Sequence, residues 1–206
     1  MRKIISTLLV LTMVLSLFSF SVSAEHWADD AISFVTENGY WISSTPIEPD
    51  KVATRAETAS LFARILISKI PEYNGAYTDV SSDNIYGGDI TALTLMGLMK
   101  GYDGEFRPDD TLTREELACI LDRAAKMVSD RFADTEYNME FYKDGDDVSE
   151  WALQSVENCS AYVLMKGLKG KSFDPQGTTT LAEVATVVKT LADTADLEKE
   201  NSVTAT

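Results

Sequence analysis

Apolar residues return at spacings of three and four along six stretches of the chain, and the stretches come in pairs. The longer member of each pair follows a Thr. It carries Leu61, Phe62 and Ile65 in the first pair, and Leu117, Ile120, Leu121 and Ala124 in the second. In the third it carries Val184, Val187, Val188 and Leu191. Such spacing gathers the apolar groups on one stripe, the mark of an amphipathic helix with a buried face. A shorter stretch precedes each. The first holds Trp27, Ala31, Ile32 and Val35 and ends at Gly39; the second holds Ile85, Ile90 and Leu93 and ends at Gly97. The third follows Asp147-Val148-Ser149 and holds Trp151, Ala152, Val156 and Cys159. Cys159 stands where Val35 and Leu93 stand in the others, so it reads as core. The pattern predicts an all-α fold in which helix, ordered loop, helix occurs three times.

A shared motif fixes the register of the three units. Pro, four residues, Thr, two residues, Glu recurs as Pro49, Thr54, Glu57, as Pro108, Thr113, Glu116 and as Pro175, Thr180, Glu183. An apolar residue lies two before each Pro: Ile47, Phe106 and Phe173. The Thr-to-Glu spacing is that of a capping box. The Thr side chain accepts from an unpaired N–H of the first helical turn, and the Glu side chain reaches back to the Thr N–H. Each cap is worth ~1 kcal/mol. Between the two helices of a unit, Gly97-Leu98-Met99-Lys100-Gly101 matches Val163-Leu164-Met165-Lys166-Gly167. The second and third motifs lie further apart than the first and second. The excess is an acidic, aromatic stretch, 134–147, expected as a surface loop, with Asp144-Gly145-Asp146-Asp147 as a turn and helix cap. That run lacks the alternating oxygen ligands and closing Glu of a calcium loop.

The first segment adds a destination. Arg2 and Lys3, an apolar run from Ile4 to Phe20, and the small residues of Ser21-Val22-Ser23-Ala24 have the three parts of a secretory signal peptide. Residues 1–24 are therefore expected to be removed on export, with an uncleaved anchor as the alternative; no later stretch is apolar enough to span a bilayer. The chain carries 18 Lys+Arg against 33 Asp+Glu, a net charge of −15. Such a surface repels nucleic acid, which is excluded as a partner, so an anionic ligand needs a local cluster of cations. Cys119 and Cys159 make no disulfide framework, and buried thiols are preferred over a bond between them.

These residues resemble the S-layer homology domains of bacterial surface proteins. Tyr77-Thr78-Asp79-Val80, the run from Met96 to Asp109, and Leu112-Thr113-Arg114-Glu115-Glu116 carry the likeness best. The first unit contributes Trp27-Ala28 and Thr54-Arg55-Ala56-Glu57. The third contributes Phe132-Ala133-Asp134, Trp151-Ala152, Phe173-Asp174-Pro175 and Thr180-Leu181-Ala182-Glu183. The resemblance divides the chain into repeats at 25–70, 76–130 and 131–193, followed by a polar, disordered tail at 194–206. It implies a pseudo-threefold arrangement around a central helical bundle, with grooves between repeats that hold secondary cell-wall polysaccharide, often pyruvylated. The expected location is the cell wall or surface layer. No enzymatic role, cofactor or metal is implied, and no protein partner is named. Such modules usually anchor another domain, and none is expected here. The sequence departs from the family at the missing lead-in before Trp27, at Ser43 and Val163 in place of loop glycines, and at Leu181 in place of Arg.

Arg55 and Arg114 stand out on physical grounds as well. Each occupies the first position of a predicted helix, where the helix dipole disfavours positive charge by ~0.3–1 kcal/mol. An anion shared between the guanidinium and free helix N–H groups would account for them; pairing with Glu57 or Glu115 is the alternative. Trp27, Trp151 and Tyr102 offer flat faces for sugar rings, although the Trp residues equally suit packing over a helix start. Lys166, like Lys100, can reach an anion from the loop. With Asp79 and Gly101 from the matched motif, these make up the expected ligand-binding set. An exported protein–protein module is the competing function. A wall hydrolase is disfavoured, because the repeats use up the chain and no nucleophile, metal cluster or supported acid/base pair accompanies them.

Overall fold

All three capping boxes close in the computed structural model, which describes residues 25–136 and 139–204, the side chains of 141 and 196–204 excepted. Glu57 N–H donates to Thr54 Oγ1 at 3.1 Å, and Thr54 N–H donates back to Glu57 at 2.9 Å. Thr113 with Glu116 and Thr180 with Glu183 repeat the exchange. Six α-helices result among the described residues: α1 (Asp29–Glu37), α2 (Arg55–Leu66), α3 (Gly87–Leu95), α4 (Arg114–Val128), α5 (Leu153–Ala161) and α6 (Leu181–Thr204). Two 3-10 turns lie at Met139–Phe141 and Gly145–Asp147. Extended backbone is limited, among the described residues, to isolated bridges. The all-α class expected from the periodicity is thus the class observed. The expected signal peptide, 1–24, lies outside the described residues. None of the described helices is long and apolar enough to cross a membrane. Helix α6 continues past position 194, where a tail is the sequence expectation; the stretch has no Gly or Pro and contains good helix formers.

Further donors at the helix starts find partners in the next unit. Arg55 and Ala56 N–H donate to the carbonyls of Asp110 and Pro108, at 2.8 and 3.0 Å. Arg114 and Glu115 donate to Gly177 and Pro175, at 2.9 and 3.1 Å. Leu181 and Ala182 donate to Lys51 and Pro49, at 2.9 and 3.0 Å. The succession returns to its beginning, since the last unit bonds the first. Bridges Thr54–Thr111, Thr113–Thr178 and Val52–Thr180 follow the same cycle. Packing follows it too: α2 lies on α3, α4 on α5, and α6 on α1, with α6 also touching α2 and α4. Each short helix therefore covers the long helix of the preceding unit. Phe62, Phe106 and Phe173 are fully buried, and one continuous apolar core runs through all three units.

The loops are held by a carboxylate and an aromatic ring. In the second unit Asp79 accepts from Phe106 and Arg107 N–H at 2.8 and 2.6 Å, and the Tyr77 ring lies 5.4 Å from that of Phe106. Gly101 is required there, because a Cβ would come within 2.4 Å of Tyr77 and 2.2 Å of the Glu105 carbonyl. In the third unit the same duties fall to Asp144, which accepts from Phe173 and Asp174 N–H at 2.8 and 2.7 Å, and to Tyr142, 5.6 Å from Phe173. The lead-in expected at Phe132-Ala133-Asp134 is therefore displaced to Tyr142-Lys143-Asp144. An aromatic-x-Asp string occurs twice in this stretch, and tertiary contact chooses between them. Asp134 instead pairs with Lys126 at 2.6 Å and accepts from Asn158 at 3.1 Å. Nor does Asp144 cap α5; Glu115 holds that helix's approach, accepting from Ser149 N–H and Oγ at 2.9 and 2.7 Å. Both cysteines are free and buried.

Candidate functional site

The cycle leaves two cavities built from equivalent positions. The first, about 320 Å³, lies between the start of α2, the loop Gly97–Lys100 and one face of α4. Its lining includes Arg55, Met99, Lys100, Glu116, Cys119, Ile120, Arg123 and Trp151. The second, about 540 Å³, lies between the start of α4, the loop Val163–Lys169 and one face of α6. There Arg114, Met165, Lys166, Glu183, Thr186, Val187, Thr190 and Trp27 take the corresponding places. Each groove thus draws an Arg from one unit, its loop and helix wall from the next, and its Trp from the one after.

The arginines do not stand as free anion receptors. Arg55 is 7% exposed; its Nε donates to the Phe106 carbonyl at 2.9 Å and its Nη2 to the Lys100 carbonyl at 3.0 Å. Arg114 is 3% exposed and grips Phe173 and Lys166 carbonyls in the same way, at 2.7 and 3.1 Å. Both guanidinium groups lie over a phenylalanine ring, at 4.9 and 5.3 Å. Burial pushes Arg55 below its usual pKa, with the charge of Arg107 adding to the effect, but an arginine stays protonated. Free helix N–H groups, expected to share an anion with these side chains, are absent at the first two positions: the neighbouring unit's carbonyls fill them. The acid partners also differ from the expected Glu57 and Glu115. Arg114 Nη1 pairs with Glu183 at 2.5 Å, whereas Arg55 makes no ion pair among the described residues. Each Arg is therefore a staple between units whose charge borders a groove.

The other expected residues separate into two groups. Trp27 and Trp151, 65% and 62% exposed, sit on the groove rims and not in the core. Lys166 is exposed in the second groove. By contrast Asp79 and Gly101 shape the loop from behind, and exposed Tyr102 lines neither groove. Sequence reasoning missed Arg123, although its position seven after Glu116 puts it on the same helical face.

The third junction is built differently. Leu181 is buried where the other two have Arg, and Trp41 packs against the core at the position of Met99 and Met165. With no Arg to face it, Glu57 pairs instead with Lys51 at 2.6 Å. Arg64, the counterpart of Arg123, is held by fully buried Asp89, with both Nε–Oδ1 and Nη2–Oδ2 at 3.2 Å.

The family model for the S-layer homology domain matches residues 76–118 and 141–185 of this chain. The second match begins close to Tyr142, in keeping with the displaced lead-in. An exoglucanase of Acetivibrio thermocellus is 29% identical over 187 residues, which cover 90% of this chain and 17% of that protein. An S-layer protein of Bacillus thuringiensis subsp. finitimus is 28% identical over 170 residues, 80% of this chain and 20% of its own. A cellulosome-anchoring protein of Acetivibrio thermocellus is 27% identical over 153 residues, 68% of this chain and 32% of its own. The chain spans a third or less of each of these relatives.

Proposed function

We propose that this chain, which belongs to the S-layer homology family, anchors non-covalently to an acidic polysaccharide of the bacterial cell wall and performs no chemistry on it. The observation that carries the reading is one set of groups occurring twice: guanidinium, loop lysine and exposed Trp, as Arg55, Lys100, Trp151 and as Arg114, Lys166, Trp27. An exposed indole offers a face to a sugar ring, and the cations attract a carboxylate such as that of a pyruvate ketal. At a net charge of −15, only such local clusters attract an anion. Relatives named as an exoglucanase and as a cellulosome-anchoring protein share this stretch, which favours a common anchoring role at the cell surface over a catalytic one. We read the cyclic contacts as a pseudo-threefold arrangement, with residues 25–70 as the first of three repeats and two of its three junctions carrying the ligand-binding set.

The third junction, with Leu181 and Trp41 in place of the Arg and loop Met, favours a second reading, a protein–protein module that keeps the fold without binding polymer. Co-sedimentation with purified Gram-positive sacculi separates the two, using native walls and walls stripped of secondary polymer. Arg55→Ala and Arg114→Ala are poor probes, because both side chains are buried staples. Trp27→Ala/Trp151→Ala removes exposed groups only. The protein should pellet with native walls alone, and the double variant should bind about tenfold less, as expected when aromatic anchors are truncated. A folded protein that never pellets with native walls rejects polymer anchoring.

A further inference from the structure

The two grooves have the same plan but different ways of presenting charge. Counting nine positions from the first residue of α2, α4 and α6 gives Arg64, Arg123 and Thr190. Arg64 is taken by buried Asp89, and Thr190 turns its hydroxyl to the Thr186 carbonyl, at 2.9 Å. Arg123 is exposed and lines the first groove, with Nη1 donating to the Leu98 carbonyl at 3.2 Å. It makes no ion pair among the described residues. Arg55 reaches the Lys100 carbonyl of the same loop from the opposite side. Two guanidinium groups, from two helices, are thus anchored on carbonyls two residues apart. Neither makes an ion pair among the described residues, although the charges of Glu116, which lines the same groove, and Asp110 act on Arg55. In the second groove the only fork is Arg114, already paired with Glu183, and the remaining cations are exposed Lys166 and Lys169.

We propose that the first groove engages two oxyanion groups of the bound polymer at once, the second groove one, and that Arg123 determines the difference. The inference rests on the anchoring function above. Arg123 uses one N–H on a backbone carbonyl and keeps the rest of its fork for a carboxylate or phosphate, matching it in orientation as well as charge. The second oxyanion meets exposed Lys100 beside the buried Arg55 charge. The second groove has only the equivalent of this second place, where exposed lysine supplies a mobile point charge. The ligand of the first groove is accordingly a glycan segment with acidic substituents on the same or adjacent sugars.

The test is sacculus binding by the whole protein across increasing salt, for the parent and three variants. Arg123→Thr copies the second groove, Arg123→Lys keeps charge without the fork, and Thr190→Arg gives the second groove the missing group. Arg123→Thr should weaken binding about five- to tenfold and flatten its salt dependence, in line with losing one charge-assisted contact. Arg123→Lys should restore the salt dependence but only part of the affinity, and Thr190→Arg should strengthen binding. If the parent binds and Arg123→Thr matches it in affinity and salt response, the inference fails while the anchoring function stands. Loss of binding that follows loss of melting temperature, with Thr190→Arg unchanged, also overturns it. A parent that does not bind removes both.

Discussion

Val163 carries a β-branched side chain at φ 57°, where the equivalent Gly39 and Gly97 stand at 72° and 73°. A Cβ at either glycine would meet nothing within 4 Å, so the cost at Val163 lies in the backbone itself. Val163→Gly should stabilise the protein by about 1 kcal/mol, after allowing for glycine's extra freedom when unfolded. Thermal melting should register this as a rise of roughly 2–4 °C. Arg114 is the opposite case. Removing it leaves Glu183 and two loop carbonyls without their partner in a largely buried place. Arg114→Ala should cost about 3 kcal/mol in urea unfolding, as when one member of a buried pair is deleted. The same residue is legible in the sequence as an anomaly, a cation at a helix start. Its partners are not, because they belong to a loop and a helix start of the next unit that only the folded chain brings to it.

The capping boxes are legible from Thr and Glu alone, because each is completed within four residues. Thr113→Ala should lower stability by about 1 kcal/mol, measurable in the same urea series. The lead-in of the third unit is not legible for the converse reason: nothing local distinguishes Asp134 from Asp144. What singles out Asp144 is the set of donors it collects. Partial burial raises its pKa, but hydrogen bonds from Ser172 Oγ and from Phe173 and Asp174 N–H outweigh this and hold it below the usual carboxylate value. A folded-state pKa below the unfolded one contributes stability above about pH 3.9, lost as pH falls through the folded value. Asp144→Ala should therefore be less stable than the parent at neutral pH and lose less of its stability on acidification below about pH 4. Urea melts at the two pH values would reveal whether the gap closes.

Across the whole molecule, the differences among the three junctions matter as much as their likeness. At the third, Leu181 and Trp41 replace the Arg and loop Met of the other two, and Lys51 takes over the carboxylate that an Arg would otherwise face. Leu181→Arg/Trp41→Met gives the third junction the groups of the other two, and under the proposed anchoring function saturation binding of wall polymer should rise by one site per chain over the parent. Periodicity revealed the units and their order, but not that the last bonds the first, since the residues concerned, Pro49 and Lys51 with Leu181 and Ala182, lie at opposite ends of the fold's sequence. That bond has a consequence for valency. A linear repeat array can lengthen one module at a time, each new module docking on an exposed end face. Here the docking face of α6 is already covered by α1, and the carbonyls of residues 49 and 51 are already engaged. An added module would find no socket. Under the proposed anchoring function, stronger grip on a wall comes from joining whole three-unit bodies by linkers, so that avidity rises in discrete steps set by linker reach and not by the addition of single grooves.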